Sequence, residues 1–140
     1  MLAGVGLAGA NALAACSQGH EVPTTAELAS CHRSVQRAGL ALQVARPEMS
    51  RADRQTAREQ LATASARLLQ RWANREGLTI SADEFMRHTP KAAEFLEGVN
   101  AEAGLSEQER LSALSEAGAA PEKWREKLND AFDCSDRLAS

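Results

Sequence analysis

Aromatic residues are scarce in this chain: it has no Tyr, and only two Trp and three Phe occur among 140 residues. A surface that stacks nucleic-acid bases or sugar rings therefore has few side chains available to it. Positive charge is also in short supply, because the net charge is −3 and the pI is about 5.6. A nucleic-acid-binding protein needs a basic surface for the phosphates, so we expect no nucleic acid among the partners.

Strand patterns and signs of a second domain are also missing. No stretch alternates β-branched and polar residues in the way that a half-buried strand does. We find no internal repeat and no low-complexity tract, and a length of 140 residues suits one domain with a real core. These absences predict an all-α fold in a single domain.

Helix start signals, in contrast, are frequent. An N-capping Thr or Ser precedes an acidic residue by three positions at Thr24, Ser50, Ser81 and Ser106. Two further helices are expected to begin at Thr89-Pro90 and at Pro121, and Pro47 is expected to end the first helix. Behind each signal, apolar residues recur every three or four positions, and the shorter helices should bury Phe95, Leu96, Val99, Leu111 and Leu114 among others.

The lengths of these segments predict the arrangement of the helices. We expect a compact bundle of five or six helices, in which a long antiparallel hairpin over about residues 25–46 and 51–76 is followed by shorter helices. The connection inside the hairpin is short, and Gly77 is a good signal for its end.

The N-terminal segment differs from the rest of the chain. Residues 2–15 carry no charge, but they are too few to span a bilayer, which needs about 20, and they fit the apolar part of an export signal. The segment ends in Leu13-Ala14-Ala15-Cys16, which resembles the lipobox of bacterial lipoproteins. In that family the cysteine is lipidated and becomes the mature N-terminus. The resemblance covers residues 1–16 only, and no Lys or Arg precedes the apolar run, which departs from the family's pattern.

The resemblance implies a signal segment over residues 1–15, a lipid-anchored tether over residues 16–23 and a helical domain over residues 24–140. The protein would then lie on the periplasmic side of the bacterial cell envelope, attached to a membrane through Cys16. Residues 17–23 reach at most about 25 Å, so the tether would hold the domain close to that membrane. Soluble export after cleavage near Ala14 and a cytosolic location remain as alternatives.

The cysteine count bears on the same question. An exported protein with three cysteines leaves one over, and a lipid on Cys16 would account for it. Cys31 and Cys134 would then remain as a pair, and a disulfide between them would close a loop of about 100 residues. Two buried free thiols are the alternative.

No complete catalytic or metal-binding set is recognisable. Glu84 and His88 stand four residues apart, where a carboxylate and an imidazole could act as a general acid–base pair, but solvated surface pairs of this kind are commoner. A metal site built from His32 and His88 would lack further ligands. We therefore expect no metal, no cofactor and no catalytic residues.

Two groups of charged residues are candidates for binding a partner. Arg and Trp dominate binding hot spots, and the sequence places them together at Arg67, Arg71, Trp72 and Arg75. Trp72 also falls on the apolar stripe of its helix, which favours a core position. An acidic edge at Asp130, Asp133 and Asp136 is either a solvated face or a docking strip for a basic partner.

These observations predict a non-catalytic envelope protein that acts by binding another protein, as an inhibitor, immunity, assembly or chaperone protein. The segregated charge supports this interpretation, since residues 21–80 carry nine basic and six acidic side chains and residues 81–140 carry seven and thirteen. One alternative is a small envelope hydrolase that uses Glu84 as a lone acidic catalytic residue. Another is a structural spacer.

Overall fold

The computed structural model describes residues 22–45 and 48–139. These residues form six α-helices and contain no strand, so the predicted all-α bundle is confirmed. We number the helices α1 (Thr25–Val44), α2 (Arg51–Arg75), α3 (Ala82–Arg87), α4 (Pro90–Ala103), α5 (Glu107–Ala119) and α6 (Trp124–Ala139). The predicted signal segment, Cys16 and Pro47 lie outside the described residues.

The predicted capping residues begin their helices. The Thr24 hydroxyl accepts a hydrogen bond from the Glu27 backbone N–H at 3.1 Å, and the Glu27 carboxylate accepts one from the Thr24 N–H at 2.9 Å. The same reciprocal pattern occurs at the starts of α3 and α5. Ser50 caps α2 through the Asp53 N–H alone, because the Asp side chain is one methylene shorter than that of Glu. At the other end of α2, Gly77 adopts a positive φ of 82°.

Helix α6 packs against both members of the α1–α2 hairpin and completes a three-helix bundle. It runs antiparallel to α1, since Cys134 near its end contacts Cys31 near the start of α1. The buried Ser135 hydroxyl donates to the Ala64 carbonyl of α2 at 2.8 Å. The shorter helices cover the outside: α3 packs on α2, α5 packs on α1, and α4 contacts α1 and α3.

The core is divided into two clusters along the bundle. The disulfide-end core is the larger and comprises the buried residues Leu28, Cys31, Ala66, Leu68, Leu69, Trp72, Ala73, Ile80, Phe85, Ala92, Val99, Ala103 and Leu138. The second cluster lies beside a groove in the surface, so we call it the groove-end core. It comprises the buried residues Val35, Ala38, Leu42, Ala57, Leu61, Leu128 and Ala131. The predicted disulfide joins Cys31 to Cys134 in the first cluster, where helix packing holds their Cα atoms 5.7 Å apart, within the usual range.

Three details of the predicted helices are wrong. Leu111 is 62% exposed and α5 has no fully buried residue, because α5 has α1 as its main neighbour and only one of its sides is covered. Phe95 and Leu96 are half-buried rather than buried. The last helix begins at Trp124, after a 3₁₀ turn over Pro121–Lys123.

None of the helices in the described ranges combines the length and the apolar character that a membrane span requires.

Candidate functional site

A groove of about 1190 Å³ lies along the second half of α1 and the first half of α2. The junction between α4 and α5 closes its far side. Its apolar surface includes Val35, Leu61 and Leu105, and its charged groups are Arg54, Arg58 and Arg110. We call it the arginine groove. Among the described residues that line it, none is acidic and none is aromatic.

The three arginines line the same groove from two different helices. Arg54 and Arg58 lie one turn apart on α2, so they share a face, and Arg110 lies in the first turn of α5 on the other side. No carboxylate of the described residues forms an ion pair with any of the three. Elsewhere in the chain, arginines do form ion pairs, namely Arg37, Arg67, Arg75 and Arg87. The groove therefore brings together three positive charges that have no direct ion-pair partner among the described residues.

A hydrogen-bonded network forms one end of the groove. His32 Nε2 donates to the Asn100 Oδ1 at 2.8 Å, and Gln36 Nε2 donates to the same oxygen at 3.4 Å. The Gln36 Oε1 accepts from the Leu105 backbone N–H at 3.0 Å. These contacts fix the α4–α5 junction against α1, so the wall that carries Arg110 is held in place.

His32 is buried at 3% exposure behind this network, and its ring meets the Trp72 ring edge-on at a centroid distance of 6.1 Å. Burial lowers the pKa of His32, and nearby Arg33 adds to this, while the hydrogen bond with Asn100 acts in the opposite direction. Its Nδ1 has no hydrogen-bond partner among the described residues. The same residues contain no group of His, Cys, Asp and Glu side chains that could hold a metal ion.

A second and smaller concavity, of about 350 Å³, lies between the start of α2 and α6. Trp124 and Phe132 are half-buried there, and the Arg125 guanidinium lies 4.5 Å above the centroid of the Trp124 ring. This cation–π contact occupies one face of the indole.

The predicted basic cluster is not a single surface. Trp72 is 3% exposed in the disulfide-end core, so its inclusion among the surface candidates is corrected: it packs against other apolar groups. Arg75 Nε donates to the Pro23 carbonyl at 2.8 Å, and its guanidinium pairs with Glu76 at 3.3 Å. Arg71 is half-buried.

The predicted basic cluster and the predicted acidic edge meet each other. Arg67 on α2 pairs with Asp136 on α6 at 3.6 Å, while Asp130 and Asp133 are exposed on α6. None of these residues lines the arginine groove. The structure therefore brings one member of each predicted group together inside the chain.

Glu84, the candidate for a lone catalytic acid, acts as a capping residue. Its Oε2 accepts from the Ser81 backbone N–H at 3.0 Å, so the carboxylate reaches back along α3 and away from His88. Glu84 lines neither the arginine groove nor the second concavity. This geometry argues against an acid–base pair between Glu84 and His88.

Comparison with protein-family models, with curated proteins and with solved structures finds no match for this chain. Sequence reasoning missed the arginine groove, although one signal was present. Arg54 and Arg58 stand four apart and are followed by Leu61, which places two cations beside an apolar position on one helix. The sequence could not assign Arg110 to this groove, because only the packing of α5 on α1 places Arg110 beside Arg54 and Arg58.

Proposed function

We propose that this chain is a lipid-anchored protein of the bacterial cell envelope that acts by binding another protein and catalyses no reaction. The observation that carries the proposal is the arginine groove: an open groove with an apolar floor and three arginines that no carboxylate of the described residues neutralises. Such surfaces are characteristic of binding sites for a complementary partner.

The spacing of the arginines supports a role beyond solubility. Like charges at i and i+4 on a helix repel each other and cost a few tenths of a kcal/mol, as Arg54 and Arg58 do on α2. A partner with carboxylates would relieve the repulsion and gain ion pairs at the same time.

The disulfide supports the envelope location. Disulfides persist in oxidising compartments such as the periplasm and are rare in the cytosol. The Cys31–Cys134 bond also leaves Cys16 as the odd cysteine, which is the residue that the lipobox resemblance assigns to lipidation. The bond and the N-terminal motif therefore support the same compartment from independent parts of the chain.

The fold also suggests how an anchored molecule would present its groove. The described chain begins at Val22, beside the end of α2, where Arg75 holds the Pro23 carbonyl. The groove begins about ten residues into α1, which at 1.5 Å per residue places it about 15–30 Å along the bundle from that end. A lipid on Cys16 would therefore attach the molecule through the disulfide end of the bundle, which is the end farther from the groove.

Anchoring is tested by producing the full chain in bacteria that are fed a labelled fatty acid. We expect label on the wild type, an acyl mass on the peptide that begins with Cys16, and recovery in the membrane fraction. The Cys16→Ala variant should carry no label and should leave that fraction. An unmodified Cys16 in a cytosolic protein would contradict the proposed location.

Binding is tested by crosslinking the full chain in cells of its source organism and identifying the proteins attached. We expect a defined partner that is lost when Arg54→Glu and Arg58→Glu are combined. The matched control combines Lys123→Glu with Lys127→Glu, which reverses the same amount of charge outside the groove. If no protein is attached to the folded wild type, or if both double variants lose the same partner, binding through the groove is contradicted.

A further inference from the structure

We infer that the occupant of the arginine groove is an acidic segment of the partner protein, which places carboxylates against Arg54, Arg58 and Arg110 and an apolar side chain on the floor beside Leu61. This inference rests on the proposed function and specifies the chemistry of the partner. Its support comes from the charge, the size and the polar groups of the groove.

The charge of the groove selects an anionic occupant. All three charged side chains that line it are arginines, and none has an ion-pair partner among residues 22–45 and 48–139. Each arginine has an acid next to it in the sequence, namely Asp53, Glu59 and Glu109, but none of these acids forms an ion pair with the three arginines. The Glu109 carboxylate accepts from the Ser106 N–H at 2.9 Å and lies 4.0 Å from Arg37. That backbone hydrogen bond and the Ser106 hydroxyl, with Arg33 and Arg37 nearby, lower the pKa of Glu109.

The size of the groove suits a stretch of polypeptide. Its volume of about 1190 Å³ exceeds the range of roughly 300–1,000 Å³ that is typical of small-molecule sites. The lining of α2 extends from Arg54 to Ser65, which spans about 16 Å at 1.5 Å per residue. That length accommodates about five residues of an extended chain or about ten of a helix.

The polar groups of the groove distinguish a peptide from an anionic lipid. Gln43 and Ser65 offer amide and hydroxyl groups that both donate and accept, which matches the N–H and C=O groups of a peptide backbone. An acyl chain in the same place would leave these groups without partners, at a cost in free energy. The absence of aromatic side chains among the described lining residues likewise leaves nothing on which nucleic-acid bases could stack.

The inference is tested with a photo-crosslinking residue, p-benzoylphenylalanine, placed in the full chain inside cells of the source organism. The test position is Ala62, which is exposed and lines the groove. The control position is Thr63, which is the next exposed residue on α2 and lines neither concavity. We expect a crosslink from position 62 but not from position 63, and mass spectrometry should locate it in a segment with net negative charge.

The identified segment is then synthesised and its Kd measured by fluorescence anisotropy. We expect Arg54→Glu combined with Arg58→Glu to weaken binding about tenfold or more, and Lys123→Glu combined with Lys127→Glu to change it less than twofold. Added salt should weaken binding to the wild type. A peptide with its acidic residues replaced by Lys should prefer the Arg54→Glu, Arg58→Glu variant over the wild type.

The outcomes separate this inference from the proposed function. A crosslinked protein segment that is neutral or basic, or one whose Kd ignores the arginine reversal, would overturn the acidic occupant and leave protein binding intact. Crosslinking from position 63 alone would do the same. Lipid as the only product at position 62, or no protein product at either position, would overturn both. Circular dichroism and thermal melting of each variant show whether it is folded before its result is counted.

Discussion

The two ends of the bundle are built differently. The disulfide-end core joins parts of α1, α2, α3, α4 and α6, contains Trp72 and Phe85, and is covalently closed by Cys31 and Cys134. The groove-end core joins only α1, α2 and α6, has no fully buried aromatic residue, and is flanked by both concavities. Packing thus concentrates at one end of the molecule, and open surface concentrates at the other.

This difference indicates how the chain divides stability and recognition. The three arginines of the groove repel one another, so this surface does not stabilise the folded state. The free energy of folding must therefore come from contacts outside the groove. The disulfide and the large apolar side chains supply it at the end from which the chain leads toward Cys16. Four experiments test whether the two ends differ energetically as they do structurally.

Removal of the disulfide should have the largest effect. Cys31→Ala combined with Cys134→Ala opens a loop of 103 residues in separation and should lower the free energy of unfolding by about 4–5 kcal/mol in the chain-entropy model. Urea unfolding followed by far-UV circular dichroism measures the change. Reductant should destabilise the wild type by a similar amount and leave the double variant unaffected. Equal stability of the oxidised and reduced wild type would remove the energetic basis of the comparison.

Truncation of one leucine at each end should have the next largest effect. Leu68 is 0% exposed in the disulfide-end core, whereas Leu61 is 8% exposed beside the arginine groove. Leu→Ala substitutions cost about 2–5 kcal/mol, and the cost grows with the cavity that remains. We expect Leu68→Ala near the top of that range and Leu61→Ala near the bottom, because water and side chains of the groove can fill the space. Chemical denaturation measures both, and equal costs would show that the ends are packed alike.

The same comparison explains what the sequence could and could not predict. The capping pairs Thr24–Glu27, Ser81–Glu84 and Ser106–Glu109 act over three residues, so local chemistry placed these helix starts correctly. The Cys31–Cys134 pairing followed from the cysteine count once Cys16 was set aside. Both are features whose cause lies in the sequence itself.

The groove depends instead on packing between distant segments. Arg54 and Arg110 face one space only because α5 lies on α1, and the exposure of Leu111 has the same origin. Periodicity shows that a helix has an apolar stripe, but it does not show how much of that stripe a neighbour will cover. The Arg67–Asp136 contact likewise joins two residues that lie far apart in the sequence.

Lowering the pH should reduce the free energy of unfolding through His32, which lies where the two ends of the bundle meet. Burial lowers the pKa of His32, so in the folded state the ring resists protonation while in the unfolded chain it takes a proton near pH 6.5. The unfolded state therefore binds more protons as the pH falls below that value, and stability declines until the folded pKa is passed. We expect this decline in the wild type and a flatter profile in His32→Gln.

The histidine experiment is read from the free energy of unfolding at a series of pH values between about 7 and 5. The control is His88→Gln, which makes the same substitution at an exposed histidine at the end of α3. The depressed pKa values of Glu27 and Glu109 act at lower pH and leave this window to the histidine. A His32→Gln profile parallel to that of the wild type would contradict the role given to His32.

The smallest effect is expected at Gly39, and it bears most directly on the division between stability and recognition. Gly39 lies inside α1 and lines the arginine groove, and a Cβ there would meet only the Leu61 Cδ2, at 3.9 Å. Gly→Ala in a helix interior stabilises by about 0.5–1 kcal/mol when there is room, so Gly39→Ala should raise the free energy of unfolding by that amount.

A matched glycine separates the helix effect from the groove. Gly98 lies inside α4 away from the groove, where a Cβ would meet nothing within 4 Å, so Gly98→Ala should give the same gain in stability. Only Gly39→Ala, and more strongly Gly39→Phe, should weaken binding of the acidic segment, because only these side chains enter the groove. If Gly39→Ala destabilises the protein, the groove end is packed more tightly than its open surface indicates. If both alanine variants gain stability and Gly39→Phe binds the acidic segment as the wild type does, a side chain at position 39 does not obstruct the bound segment.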